Sequence, residues 1–261
     1  MCGLLGSSAA PPATPGPGAV RPTGTPPPRA ASSPEPSATP ALPLAGRVVG
    51  IDPGHNGGNF SGSGYIDQLV WNGREEETCD TTGTQTADGF TEAAFTFDVA
   101  EDLRAVLIAN GATVVMTRQS NTGVGPCVTT RAQIINNANA AVAIDIHADG
   151  GPSWGRGFTI LEPVADGPND AVIASSQRFG ADVRAALQRD TAMPPSNYDG
   201  SGGVMSRDDL AGLNLTTVPK VLVECGNMPN PTDAALLASP SFQQQTARAL
   251  ATAIIVLLDG Q

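Results

Sequence analysis

The chain carries only two histidines, and each closes a strand-like apolar run. One is Val48-Val49-Gly50-Ile51-Asp52-Pro53-Gly54-His55 and the other Ala141-Val142-Ala143-Ile144-Asp145-Ile146-His147. A third run, Val221-Leu222-Val223-Glu224, ends on a carboxylate. Open α/β sheets bind ligands beyond the carboxyl ends of their strands, so strands that each finish on a ligand-type side chain point to one metal site at the end of a sheet. Helical patterns separate the apolar runs. Strands are expected near 47–52, 112–117, 141–147, 157–162 and 218–224, and helices near 92–109, 129–139, 170–189 and 240–258. Thr91 is placed to cap the helix opening at Glu92, and Gly111 to stop it. This rhythm predicts an α/β fold, with a mixed, mostly parallel twisted sheet flanked by helices.

Apolar content is unevenly spread. Residues 1–45 hold 12 of the 23 prolines and no aromatic residue, too little apolar side chain to offset the entropy of ordering. They read as a disordered Pro/Ala/Ser/Thr-rich tether ahead of one folded domain over 46–261. Within that domain Asn56 to Phe90 and Met193 to Thr217 are long, irregular and rich in Gly, Ser, Thr and Asn. Loops of that length in a compact domain are usually functional, and these two are expected to wall a substrate groove.

Net charge and hydropathy exclude two partner classes. A formal charge of -11 argues against nucleic acid, whose binding needs clustered Lys and Arg. No apolar run reaches the length of a membrane span, so membrane contact is expected only through an N-terminal lipid. Met1-Cys2-Gly3-Leu4-Leu5 is too short for the apolar core of a signal peptide. A Cys-Gly start followed by a Pro-rich tether nevertheless resembles the mature end of a bacterial lipoprotein, with Met1 where a signal peptide was removed, which makes Cys2 the lipidation candidate. Cys79 and Cys127 sit in Thr/Gly-rich loops, and a disulfide between them is expected, implying an oxidising compartment outside the cytoplasm.

Zinc catalysis uses three protein ligands and one open position. His55 and His147 supply two. Motif position leaves Glu92, Asp52, Asp145 and Asp149 as carboxylates for the third. A glutamate in a first helical turn is favoured by the helix dipole alone. Glu224 fits a general base, since a carboxylate at the end of a Val-Leu-Val strand is costly to desolvate without a function or a partner; the structural alternative is a salt bridge to Lys220 or Arg207. Strand alternation turns Cys225 away from Glu224, making it a small buried filler rather than the nucleophile of a Cys/His protease.

At these residues the chain resembles the zinc-dependent N-acetylmuramoyl-L-alanine amidases that cleave peptidoglycan. The matching segments are Ile51-Asp52-Pro53-Gly54-His55, the helix opening at Glu92, Ile146-His147-Ala148-Asp149 and Leu222-Val223-Glu224-Cys225-Gly226-Asn227. The compact actinobacterial members also share the Gly-Pro-Cys segment at 125–127 and the run Asp209-Leu210-Ala211-Gly212-Leu213-Asn214-Leu215. The resemblance implies that His55, Glu92 and His147 hold one zinc ion, that Glu224 is the catalytic base, and that Cys79 bridges Cys127. It implies hydrolysis of the amide between N-acetylmuramic acid and L-alanine by a monomer acting on peptidoglycan or muropeptides in the periplasm or cell envelope. Two positions depart from the family pattern: Asp145, where a small residue is usual, and Cys225. Asp145 shares a strand face with His147 and is expected to act on it from behind. A zinc peptidase cutting within the stem peptide and a catalytically silent wall-binding lipoprotein are the alternatives.

Overall fold

The computed structural model describes residues 9–16, 18, 24 and 41–260. Two compact units divide at Pro40. The few described residues of the first are exposed and carry no regular secondary structure; Cys2 and most of the expected tether lie outside the described residues. The second unit begins at Ala41, ahead of the boundary expected at Gly46. The reason is Leu44, which is fully buried in the core, its N–H bonded to Asn110 O at 2.9 Å.

Among the described residues eight strands form in chain order: β1 (Val48–Pro53), β2 (Leu69–Trp71), β3 (Glu76–Thr78), β4 (Thr113–Met116), β5 (Val142–Asp149), β6 (Thr159–Pro163), β7 (Val204–Arg207) and β8 (Lys220–Asn227). Between them lie α1 (Ser63–Ile66), α2 (Glu92–Ala109), α3 (Val128–Asn137), α4 (Ile173–Asp190) and α5 (Ala211–Asn214), followed by α6 (Pro231–Leu237) and α7 (Pro240–Asp259). The sheet order is β4-β1-β5-β8-β6-β7, with β2 and β3 forming a separate hairpin. Within the six-stranded sheet all neighbours run parallel except β6 and β8, and β2 and β3 pair antiparallel. The mixed, mostly parallel sheet is therefore as expected. None of these helices is long and apolar enough to cross a membrane.

Period-two alternation gives the two faces of the sheet different chemistry. Val49 and Ile51, Val142, Ile144 and Ile146, and Val221, Val223 and Cys225 all enter the main apolar cluster with Phe95, Phe179 and Ile254 of α2, α4 and α7. The opposite face carries Asp52, Asp145, His147, Lys220 and Glu224 from the same strands, and α3 covers part of it through Ile135 against Ala143. The strands expected from pattern alone all form. The segments expected to be irregular hold short elements as well: α1, β2 and β3 form inside Asn56–Phe90, and α5 and β7 inside Met193–Thr217, β7 pairing Val204 to Arg207 with Ile160 to Pro163.

Candidate metal centre

Each ligand-type side chain is delivered by a local device. Parallel pairing aligns the carboxyl ends of β1, β5 and β8, with Pro53 opposite Ile146 and His147 opposite Glu224. The chain leaves β1 through Gly54, and His55 adopts φ 57, a left-handed conformation that non-glycine residues adopt mainly where surrounding structure enforces it. Glu92 is fixed by the start of α2. Thr91 caps that helix as expected, its hydroxyl accepting from Ala94 N at 3.3 Å.

These devices bring His55, Glu92 and His147 together. One ligand atom from each lies within 4.8 Å of the others, the one such His/Cys/Asp/Glu group found among the described residues. Glu92 Oε2 is 3.2 Å from His55 Nε2, and Glu92 Oε1 is 2.9 Å from His147 Nδ1. Backbone donors hold the carboxylate in place: Thr84 N–H reaches Oε2 at 3.0 Å and Ala148 N–H reaches Oε1 at 3.1 Å. The other carboxylates considered as third ligand are engaged elsewhere. Asp52 pairs with Arg131 and Lys220, Asp149 accepts from Tyr198 OH at 2.5 Å, and Asp145 lies 3.3 Å from His147 Nε2, the side of the ring away from Glu92.

The electrostatics favour a cation at this point. Burial opposes protonation of His55, yet the Glu92 and Asp80 carboxylates hold its imidazole up to about 9. Burial likewise opposes protonation of His147, which Asp145 and Glu92 push well above its ordinary value. Burial alone would raise Glu92, but the two imidazoles hold it well below the carboxylate range. A pocket that forces positive charge onto two imidazoles also suits a divalent ion held by neutral ones, and two imidazole nitrogens with a carboxylate oxygen are a zinc-type donor set. The residues present fit the ion.

Glu224 stands next to this cluster and behaves differently. Burial pushes its carboxyl up to about 8, with Glu92 and Asp149 adding to the rise against the charge of His147. Its Oε2 is buried without a hydrogen-bond partner among the described residues. The salt bridge considered as its structural role does not form: Lys220 pairs with Asp52 and Asp145, and Arg207 with Asp209 at 2.7 Å. Cys225 is a free, buried thiol pushed upward by burial, a core filler as alternation indicates.

An open cleft of about 370 Å³ gives access to both glutamates and both histidines. Thr81 to Thr84 form one wall and Arg207 and Leu210 another, so both irregular segments contribute as expected. Cys79 and Cys127 are bonded, with Cα atoms 4.5 Å apart, which ties the start of the first wall to α3. Sequence pattern names Lys220 only as a salt-bridge partner for Glu224, and it does not single out Arg131 or Asp80. Lys220 lies four residues before Glu224 on one strand, so period-two alternation alone places both on one face.

The profile of the N-acetylmuramoyl-L-alanine amidase family matches residues 49–256. The chain is 41% identical over 227 residues to the N-acetylmuramoyl-L-alanine amidase Rv3717 of Mycobacterium tuberculosis, covering 86% of this chain and 91% of that one. Among solved structures it is similar to the amidase Ami1 of Mycobacterium smegmatis, with a TM-score of 0.79 at 41% identity, covering 84% of this chain and 99% of that one. The apo Ami1 of Mycobacterium abscessus gives 0.77 at 40% identity, covering 82% and 100%. A match that spans the whole sheet and takes in both histidines and both glutamates leaves one assignment: the chain belongs to the N-acetylmuramoyl-L-alanine amidase family.

Proposed function

We propose that this enzyme hydrolyses the amide between the lactyl group of N-acetylmuramic acid and L-alanine in peptidoglycan, using zinc held by His55, Glu92 and His147. The observation that carries the reading is the placement of Glu224, in register beside His147 and lining the same cleft as the three ligand candidates. Zinc, when bound, supplies Lewis-acid polarisation of the scissile carbonyl and of the attacking water. Glu224 takes the proton of that water and passes one to the departing amine of L-alanine. Its raised affinity for a proton suits the second half of that task. The Thr84 and Ala148 N–H groups fix the Glu92 carboxylate beside the two imidazoles, while Leu161, Leu210 and Leu222 line the cleft with apolar surface.

The substrate places the enzyme outside the cytoplasm. The Pro-rich tether over 1–45 belongs to this proposal on the strength of composition, lipid attachment at Cys2 on the Cys-Gly start ahead of that tether, and action as a monomer on the family resemblance. Product mass spectrometry on muropeptides tests the chemistry. Release of peptide with a free L-alanine amine supports an amidase, and cleavage inside the stem peptide would favour the peptidase alternative. Glu224→Gln should leave zinc content near stoichiometric while lowering turnover by about a hundred- to ten-thousand-fold. Retained turnover in that variant sinks the assignment of the base.

A further inference from the structure

Behind the two histidines runs an unbroken chain of alternating charge. His55 Nδ1, which also contacts Thr81 O and Oγ1 at 3.2 Å, lies 3.4 Å from Asp80 Oδ1. Asp80 Oδ2 accepts from Arg131 Nη2 at 3.2 Å, and Arg131 Nη1 donates to Asp52 Oδ1 at 3.0 Å. Asp52 Oδ2 accepts from Lys220 Nζ at 2.8 Å. Lys220 Nζ in turn lies 3.4 Å from Asp145 Oδ2, and Asp145 Oδ1 is 3.3 Å from His147 Nε2. Each aspartate turns one oxygen to each neighbour. All five linking side chains are buried, Asp52 and Lys220 at 1% exposure.

Burying five charges is expensive and seldom stabilises a fold relative to apolar side chains. The arrangement has a different consequence at its ends. Each imidazole presents one nitrogen to Glu92 and the other to a carboxylate of the chain, which fixes ring orientation and raises the basicity of the ligating nitrogen. Lys220 touches neither histidine, yet it holds Asp145, the residue that the family pattern does not explain. Asp52 joins the two cations, so the arms toward His55 and His147 meet in one side chain on β1.

We propose that Asp80, Arg131, Asp52, Lys220 and Asp145 act as one positioning unit that orients both metal-ligating imidazoles, with Lys220 and Asp145 forming its arm toward His147. The inference rests on the metal reading above and extends it to the residues lined up behind His55 and His147. Arg131 braces the other arm further by donating to the His55 carbonyl at 2.8 Å, so that backbone and ring of His55 are held by the same unit.

The test uses the full chain and zinc alone, with no substrate. Zinc affinity is measured by competition with a chromogenic chelator, and ligand geometry by the visible spectrum of the cobalt(II) form. The double variant Asp145→Asn/Lys220→Met removes one charge of each sign and leaves Asp52 paired with Arg131. It should bind zinc about 10- to 100-fold more weakly and shift the cobalt bands, with metal-free thermal unfolding within a few degrees of the parent. Asp145→Asn alone should weaken zinc similarly, and if it fails to fold because Lys220 keeps only Asp52 as a partner, the double variant decides. A folded double variant with parental zinc affinity overturns the inference. So does a double variant that cannot fold, because the unit would then be a folding element. A parent chain that takes up no zinc fails the metal reading itself, which separates the two outcomes.

Discussion

The imidazole of His147 occupies the space that a side chain on Gly54 would need. A Cβ built at Gly54 would lie 2.7 Å from Nδ1 and closer still to Nε2 and Cε1, and the ring cannot retreat because Glu92 holds one nitrogen and Asp145 faces the other. Gly54→Ala should therefore displace His147 rather than unfold the sheet. Overpacking of this kind costs about 1–3 kcal/mol, which the fold tolerates, while zinc content and turnover should both collapse. Elemental analysis and circular dichroism on the same sample check this, and a zinc-replete Gly54→Ala enzyme would refute it.

Acid sensitivity should trace in part to Asp52, with Glu92 and Asp80, whose carboxyls are also held low, sharing the same limb. Burial alone would raise the Asp52 carboxyl, but Lys220 and Arg131 hold it well below the usual range. A depressed carboxylate contributes stability above its unfolded pKa of about 3.9, and that contribution is lost as pH falls further. Below about pH 4 both histidines are protonated in folded and unfolded chains alike, so they add no slope in that window. Urea denaturation of the metal-free protein should show stability dropping between about pH 4 and pH 2. The drop should shrink in Lys220→Met, and an unchanged slope in that variant would assign the acid limb to other carboxylates.

The sequence exposed the site better than it exposed what supports it. His55, His147 and Glu224 stood out because each interrupts an apolar strand, where a polar side chain needs a reason. Glu92 was readable because Thr91 marks the helix start, although the helix dipole offered a competing explanation. Alternation places Lys220, Asp52 and Asp145 on one face, but no periodicity says which of them touch, since Asp52 and Lys220 are 168 residues apart. Strand β7 escaped notice because four residues in a Gly/Ser/Asn-rich stretch carry no alternation of their own and depend on β6 for pairing. Leu44 was hidden for the opposite reason, a single core residue at the end of a segment whose composition argues against order.

Metal removal should weaken the protein without unfolding it. The histidines and glutamates stand on strand ends and a helix start whose apolar faces pack independently of them, so the framework exists without the ion. A metal ion bound at this site would stabilise by mass action, about 4 kcal/mol at a thousandfold excess over the dissociation constant, or roughly 10 °C in unfolding temperature for a domain of this size. Differential scanning calorimetry with and without a chelator measures the shift. A chelated protein that loses its cooperative transition would mean that the ion is required for folding.

The Cys79–Cys127 bond should contribute both to stability and to the shape of the cleft. It closes a separation of 48 residues, and chain-entropy arguments assign about 4 kcal/mol to a loop of that length. The bond sits directly before Asp80 and Thr81, which contact His55, and Val128 N–H reinforces it by donating to Cys79 O at 2.7 Å. Replacing both cysteines by serine should lower denaturant stability by about 2–4 kcal/mol. Freed from α3, the Thr81 to Thr84 wall should also bind substrate less well. KM for muropeptides should then rise by more than kcat falls, because His147 and Glu224 stand on β5 and β8 and Glu92 keeps its bond from Ala148 N–H on β5, even though Thr84 and Asp80 of that loop also face Glu92 and His55. Equal losses in kcat and kcat/KM, measured on the folded double-serine variant, would show that the bond supports the catalytic residues themselves.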